Sequence, residues 1–134
     1  MMNIANVVLR SKDTEFTYPG IDALKVTIRY NTSERLTELR KECVKTIMDP
    51  VHGVPVEDLD MDKWNAIFST HTIVGWEGLT WGILAELMLI DESKVDAKEV
   101  ITYSTENAAA ILAGSKTFDA WVSNCLADIS NFRN

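Results

Sequence analysis

Apolar and polar positions alternate strictly near the start of the chain. Leu24, Val26, Ile28 and Tyr30 are separated by Lys25, Thr27 and Arg29, the period of two that marks a half-buried strand. Thr14 to Tyr18 is rich in strand formers and closes on the turn pair Pro19-Gly20, so a small antiparallel pair is expected here. The period then changes. From Glu34 to Met48 the residues Leu36, Leu39, Cys43 and Ile47 follow helical spacing, and Glu38–Lys41 and Glu42–Lys45 pairs occupy the other face. Asn31, Thr32 or Ser33 can cap this helix, and Asp49-Pro50 ends it.

Val51 to Leu59, which contains Gly53 and Pro55, is expected as an ordered surface loop. A second helix starts near Asp60 to Asp62 and buries Trp64, Ile67, Phe68 and His71 until Gly75 stops it. A third runs from about Thr80 to Ile90. An acidic connection, Asp91 to Glu99, then leads to a short extended piece, Val100 to Tyr103. Ser104 or Thr105 caps a fourth helix that Gly114 terminates. Thr117 is expected to cap the last, whose apolar stripe of Phe118, Trp121, Val122, Cys125, Leu126, Ile129 and Phe132 holds one register. The fold class this predicts is mainly α with a small N-terminal β element. It is a compact single domain of about five helices, with a β segment at 1–31 and a helical body at 32–134.

Composition narrows the function classes. A chain of 134 residues is long enough to bury its own core, and an apolar fraction of 46% with 25% charged residues is globular in character. The formal charge of -7 excludes the basic surface that phosphate binding needs, so neither nucleic acid nor an anionic membrane is an expected partner. Acidity of this size fits a basic partner, but its commonest explanation is plain solubility. Met1 to Leu9 lacks the basic and apolar regions of a signal peptide. Ile83 to Ile90 is broken by Glu86 and is too short to span a bilayer, so the expected location is cytoplasmic. Cys43 and Cys125 stand in for apolar residues of different helical patterns and are expected as buried free thiols in a reducing compartment.

No catalytic chemistry is legible. The run Asp58-Leu59-Asp60-Met61-Asp62 opens like a calcium loop, but Lys63 stands where a glycine must turn the chain and Ser69 where a bidentate glutamate is required. Cys43, Cys125, His52 and His71 lack the paired spacing of zinc ligands, and His71 shares a helical face with Trp64 and Phe68. A nucleophile elbow and a Gly-rich phosphate loop are both missing. The expectation is a non-enzyme without metal or cofactor.

What remains is apolar surface. Trp81, Ile83, Leu84, Leu87, Met88, Leu89 and Ile90 occupy every side of the third helix, which must therefore be enclosed, by its own fold or by another chain. Trp76 lies just ahead and adds an aromatic anchor of the kind found in interface hot spots. The candidate partner-binding residues are Trp76, Leu79, Trp81, Leu84 and Met88.

In order and spacing, several segments resemble the tail assembly chaperones of long-tailed bacteriophages, in particular the product read before the translational frameshift. They are Val26-Thr-Ile-Arg-Tyr30 into Glu34-Arg-Leu-Thr-Glu-Leu-Arg-Lys41, then Val74-Gly-Trp-Glu-Gly-Leu-Thr80, then Tyr103-Ser-Thr-Glu-Asn107. Phe118-Asp-Ala-Trp-Val122 and the closing Leu126-Ala-Asp-Ile-Ser-Asn-Phe132 complete the match, which spans most of the chain. The resemblance implies a mostly helical, self-associating protein that coats the tape measure protein and keeps it soluble before tail-tube polymerisation. It further implies displacement by the major tail protein, a place in the cytoplasm of the infected host, and absence from the mature virion. It transfers no individual functional residue. The alternative is a minor structural or tail-completion protein that stays in the particle.

Overall fold

A computed structural model describes residues 2–133. The alternating segment forms two antiparallel strands, β1 (Ser11–Thr17) and β2 (Lys25–Asn31), in which Thr14 faces Ile28 and Phe16 faces Val26. Leu24, Val26 and Ile28 are completely buried, while Lys25, Thr27 and Arg29 point to the other face of the sheet. There Arg29 pairs with Asp13 across the two strands at 2.7 Å.

Helix α1 (Ser33–Lys41) follows, capped by Thr32, whose hydroxyl accepts from the Arg35 amide. It does not reach Met48. The segment expected as its second half is a strand, β3 (Val44–Met48), and the expected loop closes on its partner, β4 (Pro55–Leu59). Val44, Thr46 and Ile47 are β-branched, which favours strand over helix once a pairing partner is at hand. Asp49 organises the turn: its backbone amide donates to Val54, its carboxylate accepts from the Val51 amide, and Gly53 supplies the positive φ of +66°. Among the described residues this hairpin pairs with no other strand, and its own residues are almost all exposed.

Helix α2 (Met61–Thr72) is capped by Asp60, and the chain then enters a further strand, β5 (Ile73–Glu77), which pairs antiparallel with β2. Ile73 and Val74, both β-branched, leave the helix to meet an edge that β1 does not cover; the register shifts by one residue between Thr27 and Ile28. The sheet order is β1-β2-β5. The protein is therefore mixed α/β, with a three-stranded and a two-stranded sheet, rather than mainly α with a small N-terminal β element. Within residues 32–134, the stretch expected as a helical body, β5 joins the two N-terminal strands in one sheet.

The remaining helices are α3 (Trp81–Leu87), α4 (Thr105–Gly114) and α5 (Lys116–Ala127). Thr80 caps α3 and Ser104 caps α4. Ser115 caps α5 where Thr117 was expected: its hydroxyl accepts from the Phe118 amide at 3.1 Å and donates to the Leu87 carbonyl at 2.7 Å, tying α5 to the end of α3. The closing stripe leaves regular helix at Ala127, and Ile129–Phe132 forms a 3-10 turn that exposes Ile129 and buries Phe132.

One apolar cluster joins Val26, Ile28 and Ile73 of the sheet to Ile111, Phe118 and Val122 of α4 and α5. Full burial of side chains this size contributes about 1.5–3 kcal/mol each. Tyr18, Phe118 and Trp121 extend the cluster as an aromatic group, with ring centroids 4.8–6.2 Å apart. Cys43 and Cys125 are free and buried.

Candidate functional site: an apolar groove

The groove is built outward from β5. Trp76 lies opposite Val26, on the core face of the sheet, and its indole N–H donates to the Ile101 carbonyl at 2.9 Å. Its ring packs edge-on against Tyr103, with centroids 5.1 Å apart, and the Tyr103 hydroxyl donates to the Ile73 carbonyl at 2.6 Å. The indole is thus fixed, with its polar edge already satisfied.

Gly78 then turns the chain at φ +75°. A side chain here would run into the Ala23 carbonyl, so the turn is close as well as left-handed. The turn drives Leu79 into the core, and the Leu79 carbonyl accepts from the Ile101 amide at 2.8 Å. A bridge between Thr80 and Val100 continues this contact. Amides at the start of α3 also donate back to the acidic connection: Trp81 to the Glu99 carbonyl and Gly82 to that of Ala97. Hydrogen bonding therefore clamps the 97–101 segment along α3.

Between these pieces and α4 lies a cavity of about 230 Å³. Trp76, Leu79, Trp81, Leu84 and Met88 all line it, so the structure brings the five sequence-predicted residues to one place. Their roles differ. Leu79 and Leu84 are buried and form the floor, shared with the core, whereas Trp76, Trp81 and Met88 are half-buried walls. The Met88 thioether lies over Gly114, in space that a side chain there would need. Ile90, Ile101, Asn107, Ala110 and Ile111 complete the lining. Ile90 belonged to the apolar run already noticed, but the others come from α4 and the extended piece, and no sequence pattern joins them to Trp76.

The apolar character of residues 80–90 is only partly explained by the fold. Leu84 and Leu87 face the core, Trp81 and Met88 face the groove, and the helix ends at Leu87, earlier than expected. Leu89, beyond it, is fully exposed.

Nothing in the lining is a nucleophile or titrates near neutrality, and its only polar side chain, Asn107, donates from Nδ2 to the Thr102 carbonyl at 3.2 Å. Elsewhere, the calcium-like aspartates are divided between elements: Asp58 lies in β4, Asp62 in the first turn of α2, and the Asp60 carboxylate caps that helix, accepting from the Lys63 amide at 3.2 Å. His71 is half-buried on α2, and burial, reinforced by Arg35 and Arg29, holds its imidazole below the ordinary value. Burial alone pushes the Cys125 thiol up, away from reactivity. Among the described residues, no three His, Cys, Asp or Glu side chains are gathered as a metal ion would require. No helix among them is long and apolar enough to cross a membrane.

No protein-family model matches the chain, and neither a curated protein nor a solved structure was found similar to it.

Proposed function

We propose that this chain is a protein-binding tail assembly chaperone that coats the phage tape measure protein and keeps it soluble before the tail tube polymerises. One observation supports a binding role above all. Five apolar residues from β5, the Gly78 turn and α3 converge on a single open groove that offers apolar contact and no reactive group. The resemblance of the ordered segments from Val26 to Phe132 to that phage family supplies the identity of the client.

In this reading the groove accepts apolar side chains from the client, each contact weak. Copies that associate along one long client convert later binding events into intramolecular ones, which raises the overall strength without new contacts. The major tail protein then displaces them. The place of action is the cytoplasm of the infected host, and the finished virion lacks the protein.

Co-expression with the tape measure protein tests this directly. The intact chain should keep the client soluble and co-purify with it, and mass spectrometry of purified virions should not detect the chain. Trp81→Ala, at a half-buried wall, should lower client solubility while thermal unfolding stays cooperative. Leu84→Ala, at the floor, should lose about 2–5 kcal/mol of stability as well. Failure of the intact chain to bind any tail component removes the proposal. Recovery from virions in fixed stoichiometry identifies a minor structural or tail-completion protein instead.

A further inference from the structure

We propose that the free edge of β1 accepts an extended segment of a partner protein as an added strand. That strand carries lysine or arginine opposite Glu15 and apolar residues on the face turned toward the helices. The site is separate from the groove, since the sheet order β1-β2-β5 puts the two at opposite edges.

β1 is seven residues long and pairs on one side only. Two flanking bonds fix which of its groups are used: the Arg10 carbonyl accepts from the Thr32 amide, and the Tyr18 amide donates to the Leu24 carbonyl. With the register between them, Lys12, Thr14 and Phe16 exchange bonds with Tyr30, Ile28 and Val26. The amides and carbonyls of Ser11, Asp13, Glu15 and Thr17 therefore point away from β2, and no hydrogen bond reaches them among the described residues. All four residues are exposed. Such a row is a template for strand addition, in which the main chain supplies affinity and the side chains supply selection. β5, the other edge strand, has five residues, and the Tyr103 hydroxyl already occupies its Ile73 carbonyl.

The two faces of the edge select the occupant. At the start of β1 a cavity of about 350 Å³ opens between Val8, Leu9, Tyr30, Ile129 and Phe132. Val8, Leu9 and Ile129 leave apolar surface in water here, and the charged members of the lining, Lys12 and Arg133, are both cationic. This face suits apolar side chains and repels lysine. On the opposite face Asp13 is held by Arg29 at 2.7 Å, while Glu15, across from Thr27, has no ion pair among the described residues. Its diagonal neighbours are that same Arg29 and Lys25, and Lys25 lies opposite Glu77. Glu15 is thus left for a cation on the added strand. The carboxylates also turn away a copy of β1 itself. Two copies centred on Thr14 would set Asp13 against Glu15 of the other copy, and centring on either carboxylate would set it against itself. Like charges directly opposite destabilise a strand pair.

The test titrates the full chain with a short peptide in which valine alternates with threonine around one central lysine, and with its glutamate counterpart. In hydrogen exchange followed by NMR, the amides of Lys12, Thr14 and Phe16 should be slow in the free chain. Those of Asp13 and Glu15 should be fast, and should slow by at least about tenfold when the lysine peptide binds. The lysine peptide should bind about fivefold more tightly than the glutamate one, and Glu15→Gln should equalise them without altering the melting temperature. Methylating alternate peptide amides should abolish binding. Trp81→Ala should leave all of this unchanged, so failure of the groove and failure of this proposal read separately. Absence of slowing at Asp13 and Glu15, or equal affinity of the unmodified chain for the two peptides, overturns the proposal. If those amides are already protected in the free chain, and more so as its concentration rises, a second copy covers the edge and the proposal is again overturned.

Discussion

Gly78 joins two demands that only glycine meets together: a left-handed backbone and a close pass against the Ala23 carbonyl. Gly78→Ala should therefore cost at least the roughly 1–3 kcal/mol of a strained left-handed residue, read as a lowered melting temperature. The groove should deteriorate with it, because the same turn places Leu79. His71 acts differently. Its imidazole is held below the ordinary value of 6.5 by burial, so the unfolded chain takes up this proton first as pH falls. Stability should drop as pH passes downward through that ordinary value, and level off once the folded protein is protonated too. A His71→Gln variant should show a flatter dependence between about pH 7.5 and about pH 5.5 in thermal melts. A wild-type curve no steeper than the variant's would mean that the histidine titrates freely in the fold.

At the scale of elements, the hairpin is the least supported part of the structure. An isolated two-stranded pair is marginal in water, and Met48, Val51 and Val54 on this one stand in solvent. Amide exchange should be far faster in β3 and β4 than in β2, which lies between two strands with Val26 and Ile28 buried beneath it. Protection of the hairpin equal to that of β2 would show that something covers it in solution. The same hairpin is where sequence reading fails, for a definable reason. Leu36, Leu39, Cys43 and Ile47 keep helical spacing across a boundary at Lys41, so apolar periodicity runs on after the helix has stopped. The β-branched Val44, Thr46 and Ile47 were the contrary signal, as Ile73 and Val74 were for β5. By contrast the β1–β2 pair and helices α4 and α5 were legible, because their alternation, caps and stripes are local properties. Half of the groove was legible for that reason too: Trp76 to Met88 is one short stretch. The α4 wall was not, since Ala110 and Ile111 reach Trp81 only through tertiary packing.

Across the whole molecule, charge and apolar surface are unevenly shared. The segment that builds the groove, residues 73–114, holds seven carboxylates against two lysines, while Leu89 beside it and the hairpin beyond α1 leave large apolar side chains uncovered. Surfaces of this kind favour association, and we expect sedimentation to show an average mass that rises with protein concentration. A strict monomer at high concentration would remove self-association from the proposed mechanism and, with it, the gain from multivalency. The four tryptophans are just as unevenly placed. Trp121 sits in the aromatic group with Tyr18 and Phe118, and Trp64 lies on α2 beneath Arg40, but Trp76 and Trp81 are both walls of the groove. Any partner that fills the groove must displace water from two of the chain's indoles at once. The site therefore contains its own optical probe: occupancy should shift the intrinsic emission to shorter wavelength, without a label and at concentrations low enough to keep the protein's copies apart.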